Sequence, residues 1–197
     1  GPECLAAEIC GIDAAADEDC DDEDPCPTDP AWTWLDLGDD VSVLSSDWAP
    51  GVHVVSGTIG DSATFVSARD PETGAELWTR TWEPAAPVLV LARVPTLVVI
   101  AGTVTDEVQI DDSTTLGAPG KVYGFVVTMN DDTGATESTL QFDETGGNTY
   151  ATALEYLDAS PPRLLVGVSH DLEYPLGAGN GTNAFIANLS PGLDDEI

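Results

Sequence analysis

Residues 51–82 read GVHVVSGTIGDSATFVSARDPETGAELWTRTW, and this stretch decides the fold. Three runs of strand length, 52–58, 63–68 and 76–82, are separated by Gly60-Asp61-Ser62 and Asp70-Pro71-Glu72-Thr73-Gly74. Val, Thr, Phe and Trp fit a pleated, half-buried surface, while Gly, Pro and Asp supply the backbone angles of tight turns. A meander of short antiparallel strands is expected. Outward from it the same texture fills 87–93, 96–104, 122–129, 149–157, 163–168 and 183–189, broken by Asn130-Asp131-Asp132-Thr133-Gly134 and Ser160-Pro161-Pro162. No convincing amphipathic helix interrupts it. Val88-Leu89-Val90-Leu91 and Leu97-Val98-Val99-Ile100 are apolar without alternation, which predicts strands covered on both faces, as where sheet stacks on sheet.

The texture is also periodic. Ala63-Thr64-Phe65-Val66, Tyr123-Gly124-Phe125-Val126 and Asn183-Ala184-Phe185-Ile186 align, with phenylalanines at 125 − 65 = 60 and 185 − 125 = 60. Each is followed by a turn ending in glycine, at Gly74, Gly134 and Gly192. Each is preceded by an apolar strand running into Gly57, Gly102 or Gly167. Further upstream comes an aromatic-bearing strand: Trp32-Thr33-Trp34, Leu77-Trp78-Thr79-Arg80-Thr81-Trp82 and Leu140-Gln141-Phe142. A unit of about four strands in roughly 50–60 residues has the size of a propeller blade. The expected fold is therefore all-β: three blade-like antiparallel meander repeats of about 31–74, 75–134 and 135–192, as an incomplete propeller or stacked sheets.

Residues 51–82 resemble the pyrroloquinoline-quinone-type propeller repeat, in which an aspartate-bearing strand leads through a TG turn to an LW strand. Residues 97–134 and 164–192, above all LLVGVSHDLEYPLGAGNGTNAFIANLSPG, are more similar to the bacterial SBBP-type propeller repeat. The resemblance implies an exported protein, in families with many non-catalytic members. Propellers close with about four to eight blades, and three repeats fall short of that. Either the chain is a fragment of a larger propeller, or several chains share a ring, or the sheets pack as a stack or sandwich; an unclosed array leaves edge strands that template pairing with another chain, so ordered assembly, as a ring or a filament, is one expectation.

Residues 1–30 differ in kind. Asp17-Glu18-Asp19-Cys20-Asp21-Asp22-Glu23-Asp24 is an acidic run broken by one cysteine and followed by Pro25, Pro27 and Pro30. It buries too little apolar surface to offset its ordering entropy and needs a disulfide, cation or partner to hold one shape. Cys4, Cys10, Cys20 and Cys26 are spaced C-x5-C-x9-C-x5-C, which misses the C-x2-4-C pairs of zinc sites. Two disulfides, in any of three connectivities, are the expectation, and they place the chain outside the cytosol. The expected organisation is an irregular disulfide-tied acidic arm (1–30), the β domain (31–192) and an acidic tail (193–197). The opening Gly1-Pro2-Glu3-Cys4 is no signal peptide, and Gly1-Pro2 reads equally as a tag scar or a mature start.

Five Lys plus Arg against 36 Asp plus Glu give a net charge of −31. That repels phosphate, so nucleic acid and anionic membrane surfaces are excluded as expected partners, and no apolar run is long enough to span a bilayer. Solubility in a saline setting is one use of such charge and cation binding another. Calcium is the candidate cation, with Asp17, Asp19, Asp21, Asp22, Glu23 and Asp24 as oxygen donors. The arm has no D-x-[DN]-x-[DN]-G loop, so weak binding is expected rather than one tight site.

Catalytic signals are thin. Gly60-Asp61-Ser62 lies in an expected hairpin turn, and no G-x-S-x-G elbow occurs. His53 and His170 are strand residues whose partners the sequence does not disclose. A quinone cofactor would need a complete ring around it. Of five tryptophans, Trp34, Trp78 and Trp82 belong to the repeat's aromatic strand and are expected in the core. Trp48, in Asp47-Trp48-Ala49-Pro50, falls outside the repeat and is the candidate ligand-binding residue, for a glycan or a protein. The sequons at Asn180 and Asn188 carry little meaning in a bacterial protein. These readings converge on a non-enzymatic, secreted or cell-surface structural or interaction protein that self-associates or binds another surface protein. A lectin-like or protein-binding propeller module excised from a larger exported protein is the alternative.

Overall fold

The structure, a computed structural model, describes residues 40–86, 88–91, 94–142, 147–172 and 181–193. All lie in the compact unit Asp36–Ile197; the other unit is Gly1–Leu35. The described residues are all-β, without a helix. In chain order the strands are β1 (Val41–Ala49), β2 (Val52–Ile59), β3 (Ala63–Arg69), β4 (Glu76–Trp82), β5 (Val88–Leu91), β6 (Leu97–Val104), β7 (Val108–Gln109), β8 (Thr115–Leu116), β9 (Tyr123–Asn130), β10 (Thr136–Phe142), β11 (Thr149–Leu157), β12 (Arg163–Leu172) and β13 (Gly181–Leu189).

Three antiparallel meanders result. The first sheet runs β1-β2-β3-β4, the second β5-β6-β9-β10, the third β11-β12-β13, and none of them closes on itself. A small hairpin, β7-β8, leaves the second sheet between β6 and β9. The aromatic strands end a sheet rather than begin one. Glu76–Trp82 pairs with β3, with Trp78 opposite Ala68 and Trp82 opposite Thr64, and β10 pairs with β9. The second meander therefore starts at Val88 and the third at Thr149, each after the aromatic strand and not with it.

The second sheet is the middle layer. One of its faces carries Val98, Ile100, Phe125, Val127 and Met129, packed with Val54, Val66, Ala68, Trp78 and Trp82 of the first sheet. Its other face carries Val99, Ala101 and Val126, packed with Ala151, Leu164, Val166, Val168 and Leu189 of the third. Burial on both faces explains why 88–91 and 97–100 read as unbroken apolar runs. The sequence reading misses the short β7-β8 hairpin and, among the long strands, β1. Its VSVLSSDWA is half polar because it is an edge strand, and it carries a bulge between Val43 and Ser45.

The two TG turns are built alike. Gly74 N–H donates to Asp70 O at 2.8 Å and Gly134 N–H to Asn130 O at 2.8 Å. Thr73 N–H donates to Asp70 Oδ1, and Thr133 N–H to Asn130 Oδ1, both at 3.0 Å. Both glycines have positive φ, 69° and 65°, which a side chain would strain. Gly134 is doubly required, because a Cβ there would come within 2.6 Å of the Trp78 ring. Trp78 Nε1 donates to Asp131 O at 2.6 Å and Arg80 Nε to Gly134 O at 2.9 Å, so the second sheet's turn is pinned by the first sheet's last strand.

Candidate functional site

The expected site residues fall into two groups. Cys4, Cys10, Cys20 and Cys26, with Asp17, Asp19, Asp21, Asp22, Glu23 and Asp24, lie outside the described residues, as do Trp32 and Trp34. Trp48 lies within them and is 65% exposed, on the face of the first sheet that points away from the second. Val43 and Ile59 are also exposed there, whereas Phe65, on the same face opposite Gly57, is buried. Trp78 and Trp82 are core, as expected.

The two histidines occupy different sheets. His53 pairs across the strands with Trp48 and Arg69; its pKa is lowered by burial, with the Asp47 carboxylate pulling the other way. His170 is buried at the end of the third sheet opposite Thr149, and its Nε2 has no hydrogen-bond partner among the described residues. Asp61 and Ser62 form the exposed β2–β3 turn. Among the described residues no group of three or more His, Cys, Asp or Glu side chains could hold a metal. The shifted carboxylates serve turns. Hydrogen bonds from the N–H groups of Thr73 and Glu72 lower the pKa of Asp70. Asp111 is held well below the ordinary range, first by the Thr136 hydroxyl and then by the N–H and hydroxyl of Ser113. Tyr150, whose hydroxyl donates to Asp171 at 3.2 Å, is raised by burial and then by that carboxylate.

What remains without a structural task is the end of the third sheet. The first two sheets have four strands; among the described residues the third has three, and its last strand, β13, has only β12 beside it. Phe65, Phe125 and Phe185 all face back along the stack. Phe125 packs on the first sheet, and Phe185 meets Phe142 of the second edge to face, 6.3 Å between centroids. The next residue in each copy faces forward. Val66 and Val126 are fully buried in the two joints between sheets, but Ile186, at the same place in the third copy, is 69% exposed. Leu157, on the same outer face, is exposed as well. The sequence contains the signal for Ile186, since 186 − 126 = 60 and 126 − 66 = 60, but only the sheet order shows that nothing described follows it.

Comparison with protein families, with curated proteins and with solved structures returns no match for this chain.

Proposed function

We propose that the chain is a non-enzymatic structural or interaction protein of the cell exterior that assembles with further copies of itself, as a ring or a filament, through the open end of its sheet stack. One observation carries this reading: Ile186 stands exposed where Val66 and Val126 are buried beneath a following sheet. A following sheet of the same kind would bury it, and exposed apolar sheet faces beside open edges are where chains join. The blade-like repeats and their resemblance to exported bacterial propeller repeats agree with three units that do not close a ring alone. The acidic arm, with disulfides and calcium, would keep the assembly soluble outside the cell.

Sedimentation velocity over a hundredfold concentration range, with electron microscopy of the concentrated sample, tests the reading. Association that rises with concentration and ends in rings or fibres is expected, and a monomer at every concentration would contradict it. Trp48 favours a second reading, a lectin-like or protein-binding surface, because a tryptophan this exposed offers a flat apolar platform. A glycan array probed with the chain and with Trp48→Ala would show binding lost with the ring.

A further inference from the structure

We infer that Trp48, His53, Arg69 and Glu76 form one binding row for a neutral oligosaccharide, with a hexose stacked on the indole and hydroxyls further along the glycan held by the Arg69–Glu76 pair. This rests on the second reading above, the lectin-like surface of Trp48, and names its ligand class and its polar partners.

The register of the first sheet carries the inference. Trp48 of β1 lies opposite His53 of β2, His53 opposite Arg69 of β3, and Arg69 opposite Glu76 of β4. Residues directly opposite in antiparallel strands share a face, and the flanking Val54 and Ala68 point the other way, into the first joint. The four side chains therefore form a line across all four strands, on the face away from the second sheet. Three strand spacings of roughly 4.8 Å make the line about 14 Å long. That suits a short glycan laid across the strands better than a single sugar.

The two ends of the line differ in chemistry as the C–H face of a sugar differs from its hydroxyl rim. At one end Trp48 is 65% exposed and offers a flat apolar surface for the C–H face of a pyranose. At the other end the Arg69 side chain is fixed in place. Its Nη1 donates to Gly74 O at 3.3 Å and its Nη2 to Glu76 Oε2 at 3.1 Å. Gly74 belongs to a turn that is itself tied by Asp70, whose Oδ1 accepts from the N–H groups of Glu72 at 2.7 Å and Thr73 at 3.0 Å. A guanidinium has more N–H donors than these two bonds use, and the Glu76 carboxylate, with 53% of its side chain exposed, has acceptor sites left. Vicinal hydroxyls, which both donate and accept, match a fixed donor beside a fixed acceptor. Because the pair is already ordered, binding costs it little rotamer entropy. His53, half-buried between the two ends, floors the line.

Charge selects among glycans. Arg69 and Glu76 offset each other. Burial lowers the pKa of His53 against the pull of Asp47, so its ring is neutral at neutral pH. Asp47 and Asp70 adjoin the row in a chain of net charge −31. A uronate or a sulfated sugar would meet net repulsion there, and a neutral hexose would not.

The test titrates the full chain with neutral tetrasaccharides of glucose, mannose and galactose, and with tetragalacturonate as the anionic control, by calorimetry and tryptophan fluorescence. A neutral tetrasaccharide is expected to bind and to shift the fluorescence, and tetragalacturonate to do neither. Trp48→Ala is expected to weaken that binding roughly tenfold and Glu76→Ala roughly threefold, with the thermal melt of both variants unchanged. Binding lost in Trp48→Ala but undiminished in Glu76→Ala would overturn the row and leave the lectin-like reading of Trp48 standing. Tetragalacturonate bound as tightly as the neutral sugars would overturn the ligand class and also leave that reading standing. No binding of any of these sugars would overturn both the row and a lectin at Trp48.

Discussion

The two joints between sheets are built from different materials. Between the first and second sheets lie Trp78, Trp82 and Phe125, crossed by hydrogen bonds from Ser56 Oγ to Val88 O at 2.7 Å, from Ala86 N–H to Thr64 Oγ1 at 2.7 Å and from Arg80 to the Gly134 turn. Between the second and third sheets lie mainly aliphatic residues. Thr149 is the tie there, accepting from Gly124 N–H at 2.9 Å and donating to Phe142 O at 2.6 Å. Among the described residues the one ring–ring contact across the second joint involves Phe185, which is 40% exposed. A repeat can therefore keep its spacing while its packing thins toward one end. The thin end is where, among the described residues, strand and face have no further sheet or strand beside them; a sheet in mid-stack must be sealed on both sides.

Truncation should expose this difference most strongly. Phe125→Ala opens a fully buried aromatic site in the first joint, and a loss of about 3–5 kcal/mol in urea denaturation is expected. Leu164→Ala, equally buried in the second joint, should cost less, about 2–3 kcal/mol, because the site can collapse toward the open sheet. Equal losses would remove the distinction between the joints.

Next in size is the glycine under Trp78. Gly134→Ala places a Cβ against the indole at positive φ, and about 1–3 kcal/mol should be lost, with a changed tryptophan fluorescence spectrum. An unchanged spectrum would mean that the turn does not seat on Trp78.

The smallest effect separates the two TG turns. Asp70 and Asn130 each accept from the N–H of the threonine three residues on, but only Asp70 titrates. Its pKa is lowered on folding, so its contribution is present above the ordinary value of 3.8 and is lost as pH falls through the lowered one. Asp70→Asn should leave the melting temperature at pH 7 nearly unchanged and flatten its fall below pH 3.8. Because Asp70 is exposed, the effect should shrink further in high salt.

Much of this was legible in the sequence where local chemistry decides. The strands at 76–82 and 149–157 were readable to the residue from their Trp, Tyr and Thr content, and the turns from their Gly and Asp. β1 was not, since Ser42, Ser45, Ser46 and Asp47 look like loop until an edge strand half in water accounts for them. Nor was the phase of the sheets legible: whether Trp78 ends one unit or opens the next is set by pairing with Ala68, not by the residues beside it. Trp48 could be singled out because it breaks the repeat. Ile186 could not, because the repeat gives it the same apolar character as Val66 and Val126, and it differs only in that no described sheet follows it.

The most direct measurement of the central claim, that the open end of the sheet stack is covered on assembly, is amide hydrogen exchange along β13 at low and high protein concentration. Protection that rises in β13 as the protein associates, while β9 in the middle sheet stays equally protected throughout, is the predicted result. β13 amides whose protection is the same at every concentration, in a sample that associates, would contradict it.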